Sequence, residues 1–114
     1  MQETRSDPGA LLSRIPVVAG LAYIERVRQL PHSFTATLAV EPENRYFRHA
    51  IAVLASGGKV GYLAPEVAVG IFERVKMSPE PITCPGRCAS RFDHENSGVE
   101  LLLDFSDLPL AAAP

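Results

Sequence analysis

The chain lacks a dominant charge, a long apolar run and a recognisable export signal. Its 114 residues carry 11 Lys and Arg against 13 Asp and Glu, a net charge of −2. This balance argues against affinity based on a broad basic surface, although a local basic groove is still allowed. The longest apolar stretches, such as 15–24, are too short to span a bilayer. The first ten residues are polar, so we expect no signal peptide and a cytoplasmic protein.

Cysteine is also scarce, since Cys84 and Cys88 are the two in the chain. In a cytoplasmic protein we expect both thiols to be reduced. Their Cys-x₃-Cys spacing, with His94 as a third candidate, is a weak zinc signal, because a second matched pair and a clear fourth ligand are missing. We therefore expect no bound metal and no cofactor, and we interpret the two cysteines as half-buried free thiols.

The sequence contains none of the common catalytic motifs. It has no Gly-x-Ser-x-Gly, no phosphate-binding loop with Gly-Lys-Ser/Thr and no His-Glu-x-x-His. His32 and His49 lie in separate predicted loops, and we interpret Glu41 and Glu43 as an acidic turn. We expect a protein that is not an enzyme.

The composition is that of an ordinary globular domain, with 46% hydrophobic and 21% charged residues. The length fits one domain, which can enclose a core without disulfides. We expect a flexible leader over residues 1–14, a single domain over 15–106 and a tail over 107–114.

Most of the chain has the pattern of β-strands. Period-two alternation, β-branched residues and turn signals predict six strands, and the first two of them are placed to pair across 28–33. Gly57 and Gly58 are expected to supply the positive φ values of a tight hairpin turn. Pro85 predicts a bulged or edge strand. The predicted strands cover 17–27, 34–40, 50–54, 59–64, 82–92 and 99–105.

One amphipathic helix is predicted over residues 65–77. Pro65 suits the first helical position, and Glu66 is favourable in the first turn. Apolar residues then recur at helical spacing, so this helix is expected to cover a core. The predicted fold is mainly β: a small closed or nearly closed barrel of about six strands, with one α-helix between strands 4 and 5.

Two tyrosines stand out because aromatic residues make up only 7% of the chain. They fall in the stretch 41–68, which reads Glu-Pro-x-Asn-x-Tyr-x-x-x-Ala-Ile-x-Val, then a Gly-rich turn, then Val-Gly-Tyr-Leu-x-x-Glu-x-Ala. This order resembles the HIRAN domain, and the upstream 18–24 resembles the first strand of that family. The residues that carry the resemblance are Glu41, Pro42, Asn44, Tyr46, Ala50, Ile51, Val53, Val60, Gly61, Tyr62, Leu63, Glu66 and Ala68.

The resemblance implies a modified OB-like barrel that holds single-stranded DNA near a 3′ end. Bases would stack on Tyr23 and Tyr46, which match the aromatics of the family's site. Three positions depart from the DNA-binding members: Ala22 stands for an Arg, Phe47 for an Asp and Ala64 for a basic residue. The stacking pair is thus retained, while the groups that read charge and a terminal hydroxyl are not.

Two classes of function are expected from these features. The first is a module that binds single-stranded DNA in DNA repair or fork processing. The alternative is a protein-interaction module that docks a helicase or nuclease partner through the same aromatic face, with Phe47 exposed. Phe47 itself is expected either to fold inward or to form a third stacking surface. The candidate nucleic-acid-binding residues are Tyr23, Tyr46, Arg45, Phe47, Arg48, Lys59 and Phe92.

Overall fold

A computed structural model describes residues 12–18, 23–91 and 98–108. In these ranges six antiparallel strands form a closed barrel in the order β1-β4-β3-β2-β5-β6. One helix lies between the fourth and fifth strands, so the predicted fold class is confirmed. The elements are β1 (Ile15–Val18), α1 (Ile24–Arg28), β2 (Ser33–Glu41), β3 (Ala50–Ala55), β4 (Gly58–Leu63), α2 (Pro65–Met77), β5 (Ile82–Arg91) and β6 (Gly98–Leu103).

The core fills the inside of this barrel and extends under α2. Strand alternation places the apolar side chains inward, and the largest fully buried ones are Ile51, Leu101, Leu103, Val53 and Val60. Helix α2 begins at Pro65 and ends at Met77 as predicted, and it packs on β2 and β3. Its inner face buries Ala68, Phe72 and Val75. Among the described residues no helix is long and apolar enough to cross a membrane.

The first strand is confirmed, but its predicted bounds of 17–27 are wrong. β1 ends at Val18, and a single helical turn follows at Ile24–Arg28. Three of its five residues are charged and only Val27 is buried, so the local β propensity has little apolar surface to support a strand. The predicted pairing with β2 is also wrong, because β1 pairs with β4 and β6 and thereby closes the barrel.

The hairpin of β3 and β4 is confirmed, and Gly57 has the predicted positive φ, but the second such residue is Ser56 and not Gly58. Ser56 and Gly57 have φ values of 53° and 85°, the positive pair that a two-residue turn requires. Gly58 instead permits a close approach, because a methyl group there would lie 2.4 Å from the guanidinium carbon of Arg26. This contact brings α1 against the start of β4.

The prediction that Pro85 makes a bulge or an edge is wrong. β5 lies between β2 and β6 with regular register on both sides, and Pro85 pairs with Thr35. The Pro85 carbonyl accepts a hydrogen bond from the Asp104 amide, just beyond the last β6 pair. The N–H and C=O of one strand residue point to the same neighbour. The missing N–H of Pro85 therefore falls where the ladder with β6 has already ended.

Candidate binding groove beside the Tyr46 loop

An apolar groove lies beside residues 42–49, the loop between β2 and β3, here called the Tyr46 loop. Its volume is about 250 Å³. The end of β1, the start of β3, the end of β4 and the first residue of α2 all contribute to it. The lining residues are Val18, Asn44, Tyr46, Phe47, Ala50, Tyr62, Leu63 and Pro65. The groove is thus built where four elements and one loop meet.

Tyr46 is the most exposed large hydrophobic side chain among the described residues, at 89%. Its backbone position is nevertheless fixed. The Asn44 Oδ1 accepts hydrogen bonds from the amides of Tyr46 (2.9 Å) and Phe47 (3.1 Å). This Asx turn is a common way for asparagine to order a short loop. The ring is therefore presented to solvent from an ordered backbone.

Glu41 anchors this turn from the end of β2. Its Oε1 accepts hydrogen bonds from Asn44 Nδ2 (3.1 Å) and from the Tyr62 hydroxyl (2.8 Å). Its Oε2 accepts from Lys59 Nζ at 2.5 Å. Burial raises the pKa of Glu41, but the bonds from Lys59, Tyr62 and Asn44 outweigh it, and the pKa falls below its usual value. The sequence interpretation of an acidic turn missed this role.

Lys59 is held in the same cluster. Its Nζ also donates to the Tyr62 hydroxyl (2.8 Å) and lies 4.8 Å from the Tyr62 ring centroid. The hydrogen bond to Glu41, and then that to Tyr62, raises the pKa of Lys59 well above its usual range. Lys59 is thus a cation already paired with a carboxylate, which makes it a poor partner for a phosphate.

A β-bulge explains how residues three apart on β4 reach one carboxylate. Lys59 and Tyr62 would face opposite sides of a regular strand. The register with β3 shifts between Val53 and Leu54, so β4 carries one extra residue at this point. An inserted residue reverses the alternation. Both side chains therefore face Glu41, and both Val60 and Gly61 are buried.

Phe47 is half-buried, packs against the core and also lines the groove. Its ring meets the edge of His49 with centroids 5.7 Å apart, and His49 meets Phe72 of α2 at 5.1 Å. Of the two expectations for Phe47, the inward-folded ring is confirmed, while a role as a third stacking surface stays a prediction. The expectation of an exposed Phe47 is wrong, because the side chain is half-buried and packs against His49 and the core.

The other candidate residues are two arginines of the Tyr46 loop and two aromatic residues, Tyr23 and Phe92, from elsewhere in the chain. Arg45 and Arg48 are exposed in the Tyr46 loop. Tyr23 is not on a strand but at the start of α1, half-buried against the core, and it does not line the groove. Phe92 lies outside the described residues, as does Ala22. Tyr46, Phe47, Arg45 and Arg48 thus share one loop, and Tyr23 is not among the residues that line its groove.

Cys84 and Cys88 lie four residues apart on the regular strand β5. An extended strand rises about 3.3 Å per residue, so their Cα atoms are about 13 Å apart, too far to share one tetrahedral zinc ion. Burial raises the pKa of Cys84 to about 11. Burial also raises the pKa of Cys88, whose thiol donates to the Pro31 carbonyl (3.4 Å). His94 lies outside the described residues, among which no cluster of three or more metal-ligand side chains occurs.

The groove and the Tyr46 loop can contact both a flat ring and an anion. An exposed phenol ring and an apolar lining can hold a flat ring system by stacking, and two guanidinium groups on the same loop can neutralise a nearby anion. No family description, no curated protein and no solved structure matches the chain.

Proposed function

We propose that this protein is a HIRAN-type module that binds single-stranded nucleic acid, with DNA in repair or fork processing as its ligand. The exposed ring of Tyr46 carries the proposal. An aromatic side chain at 89% exposure buries little apolar surface and so contributes little to the stability of the fold. On an ordered turn beside an apolar groove, it offers a face on which a base stacks.

The basic side chains support a weak electrostatic contribution. Arg45 and Arg48 flank the ring and are exposed, so they are suited to phosphates on either side of a stacked base. Lys59 does not add to them, because Glu41 already neutralises it. Two neutralised phosphates on a single strand give a salt slope of about −1.4 on a log–log plot.

The experiment is fluorescence anisotropy with a short labelled DNA strand at low salt. Tyr46→Ala is expected to weaken binding by about 1–3 kcal/mol, the cost of one lost stack. Met77→Ala is the matched control, because Met77 is an exposed apolar side chain (74%) on α2 and does not line the groove. Equal affinities for wild type and Tyr46→Ala contradict the proposal.

A protein-interaction module is the second candidate, and the paired state of Lys59 favours it. The lining of the groove is almost wholly apolar, and Lys59, whose charge Glu41 balances, adds no cation for a phosphate, so the groove suits an aliphatic or aromatic side chain of a helicase or nuclease partner. This candidate predicts no DNA binding at low salt. It also predicts a purified partner whose binding is lost in Tyr46→Ala and kept in Met77→Ala.

A further inference from the structure

We infer that Glu41 is a positioning residue of the proposed site, which orders the Tyr46 loop by fixing the orientation of the Asn44 side chain. The inference rests on the proposed function for its effect on ligand binding. The ordering itself is a property of the free protein. A continuous set of hydrogen bonds carries it, from the Glu41 carboxylate through the Asn44 amide to the backbone amides of Tyr46 and Phe47.

The direction of these bonds depends on the carboxylate. An ionised carboxylate only accepts, so Asn44 must turn its NH₂ group towards Glu41. The Oδ1 atom then faces the two loop amides, which only donate. If the Asn44 side-chain amide were reversed, its oxygen would face the Glu41 carboxylate and its NH₂ group would face the backbone N–H groups of Tyr46 and Phe47. Glu41 thus selects the one orientation of Asn44 that satisfies every group.

Lys59 and Tyr62 hold the carboxylate in the place that this role requires. Both donate to Glu41, and the β4 bulge directs both towards it. The side chains of Lys59 and Glu41 are 30% and 21% exposed, so the pair is partly shielded from water. Lys59 therefore acts on the site through Glu41 and not through a direct phosphate contact.

Two other contacts of the loop do not depend on Asn44's side chain. The backbone N–H of Asn44 donates to the backbone carbonyl of Glu41 (3.0 Å), and the backbone N–H of Ala50 donates to the backbone carbonyl of Phe47 (3.0 Å). Loss of the Glu41 carboxylate is therefore expected to free the Tyr46 and Phe47 amides while the ends of the loop stay closed. A ligand must then order Tyr46 on binding, which weakens binding about 3- to 10-fold.

The test compares Glu41→Gln with Glu43→Gln. Both substitutions remove one carboxylate without a change of size, but Glu43 is exposed. Amide hydrogen exchange, measured by NMR on the free protein, is expected to be at least about threefold faster at Tyr46 and Phe47 in Glu41→Gln. The same amides should be unchanged in Glu43→Gln. Unchanged exchange in both Glu41→Gln and Glu41→Leu, the second of which cannot accept a hydrogen bond from Asn44, together with faster exchange in Asn44→Ala, overturns the inference, because Asn44 then orders the loop unaided.

A double-mutant cycle tests the effect on binding. Glu41→Gln is expected to weaken binding of a short DNA strand in the wild-type background but not in Tyr46→Ala, since Glu41 acts through Tyr46. An equal loss in both backgrounds overturns the inference. If Glu41→Gln does not fold, Lys59→Met serves in both measurements, with changes in the same direction but smaller, because the carboxylate and its bonds from Asn44 and Tyr62 remain. If wild type does not bind DNA, the proposed function fails, while the exchange measurement still decides the role of Glu41.

Discussion

Gly86→Ala tests the pairing of β2 with β5, on which the closed barrel depends. Gly86 pairs with Phe34, whose ring lies over it. A methyl group at Gly86 would lie 2.4 Å from Phe34 Cε2 and 3.1 Å from Leu103 Cδ2. Gly70 on α2 is the control, because a methyl group there meets nothing within 4 Å. The same substitution is therefore expected to have opposite effects at the two sites.

The magnitudes follow from the two environments. Overpacking at Gly86 costs about 1–3 kcal/mol, and the reduced entropy of the unfolded chain offsets about 0.5–1 kcal/mol of that. The net loss of unfolding free energy is about 0–2.5 kcal/mol, a fall in Tm of up to about 12 °C. Gly70→Ala should gain about 0.5–1 kcal/mol, since alanine is the better helix former.

The assay is urea denaturation followed by circular dichroism, with Phe34→Ala as a second background. Without the Phe34 ring the main clash at Gly86 disappears, so Gly86→Ala should then be neutral or stabilising. A Gly86→Ala protein as stable as Gly70→Ala, in the background that keeps Phe34, refutes the placement of this ring over β5.

Three further predictions concern the turn, the carboxylate and the thiols. Ser56→Asn should raise the unfolding free energy by a few tenths of a kcal/mol, because asparagine tolerates the positive φ of 53° better than serine. Urea denaturation measures this change, and a lower unfolding free energy in Ser56→Asn contradicts the turn geometry. The pKa of Glu41 in the folded protein is lowered from 4.5. The contribution of the ionised carboxylate to stability is therefore complete above about pH 4.5, and it is lost as the pH falls through the pKa of the folded state. The stability difference between wild type and Glu41→Gln should therefore shrink from pH 6 to pH 3, and a constant difference contradicts this. With a thiol reagent at pH 8, Cys88 should react faster than the buried Cys84. Elemental analysis should find far less than one zinc per chain. One zinc per chain that is lost in Cys84→Ser contradicts the zinc prediction.

The elements with strong local signals were predictable from the sequence. Helix α2 has proline at its first position and apolar residues at helical spacing, so its bounds of Pro65 and Met77 match the prediction. The β3–β4 hairpin has a Gly-rich turn between two apolar runs. In both cases local chemistry and tertiary packing favour the same structure.

The misplaced elements depend on distant partners. Helix α1 has five residues and one buried side chain, too few for a helical period to show. β1 pairs with strands more than 40 residues away, and closure of the barrel decides that pairing. Pro85 is tolerated in β5 because β6 ends opposite it, which no feature of β5 itself reveals.

The candidate site was predictable only in part. Tyr46 and its two flanking arginines stand out in the sequence, and Asn44, two residues before Tyr46, is a signal for an Asx turn. The cluster around Glu41 was not predictable, because Lys59 is 18 residues away and a bulge brings Tyr62 to the same side. The same cluster pairs Lys59 with a carboxylate, which no feature of the sequence around Lys59 reveals.

The most direct test of the proposed function is the fluorescence of Tyr46→Trp. The chain has no tryptophan, so this variant carries a single indole at the proposed stacking position. A base that stacks on the indole is expected to quench its emission, and the quenching should saturate with added single-stranded DNA at low salt. Saturable quenching that added salt reverses is the predicted result. Emission that stays unchanged, while the same strand shows no binding to wild type by anisotropy, contradicts the nucleic-acid proposal.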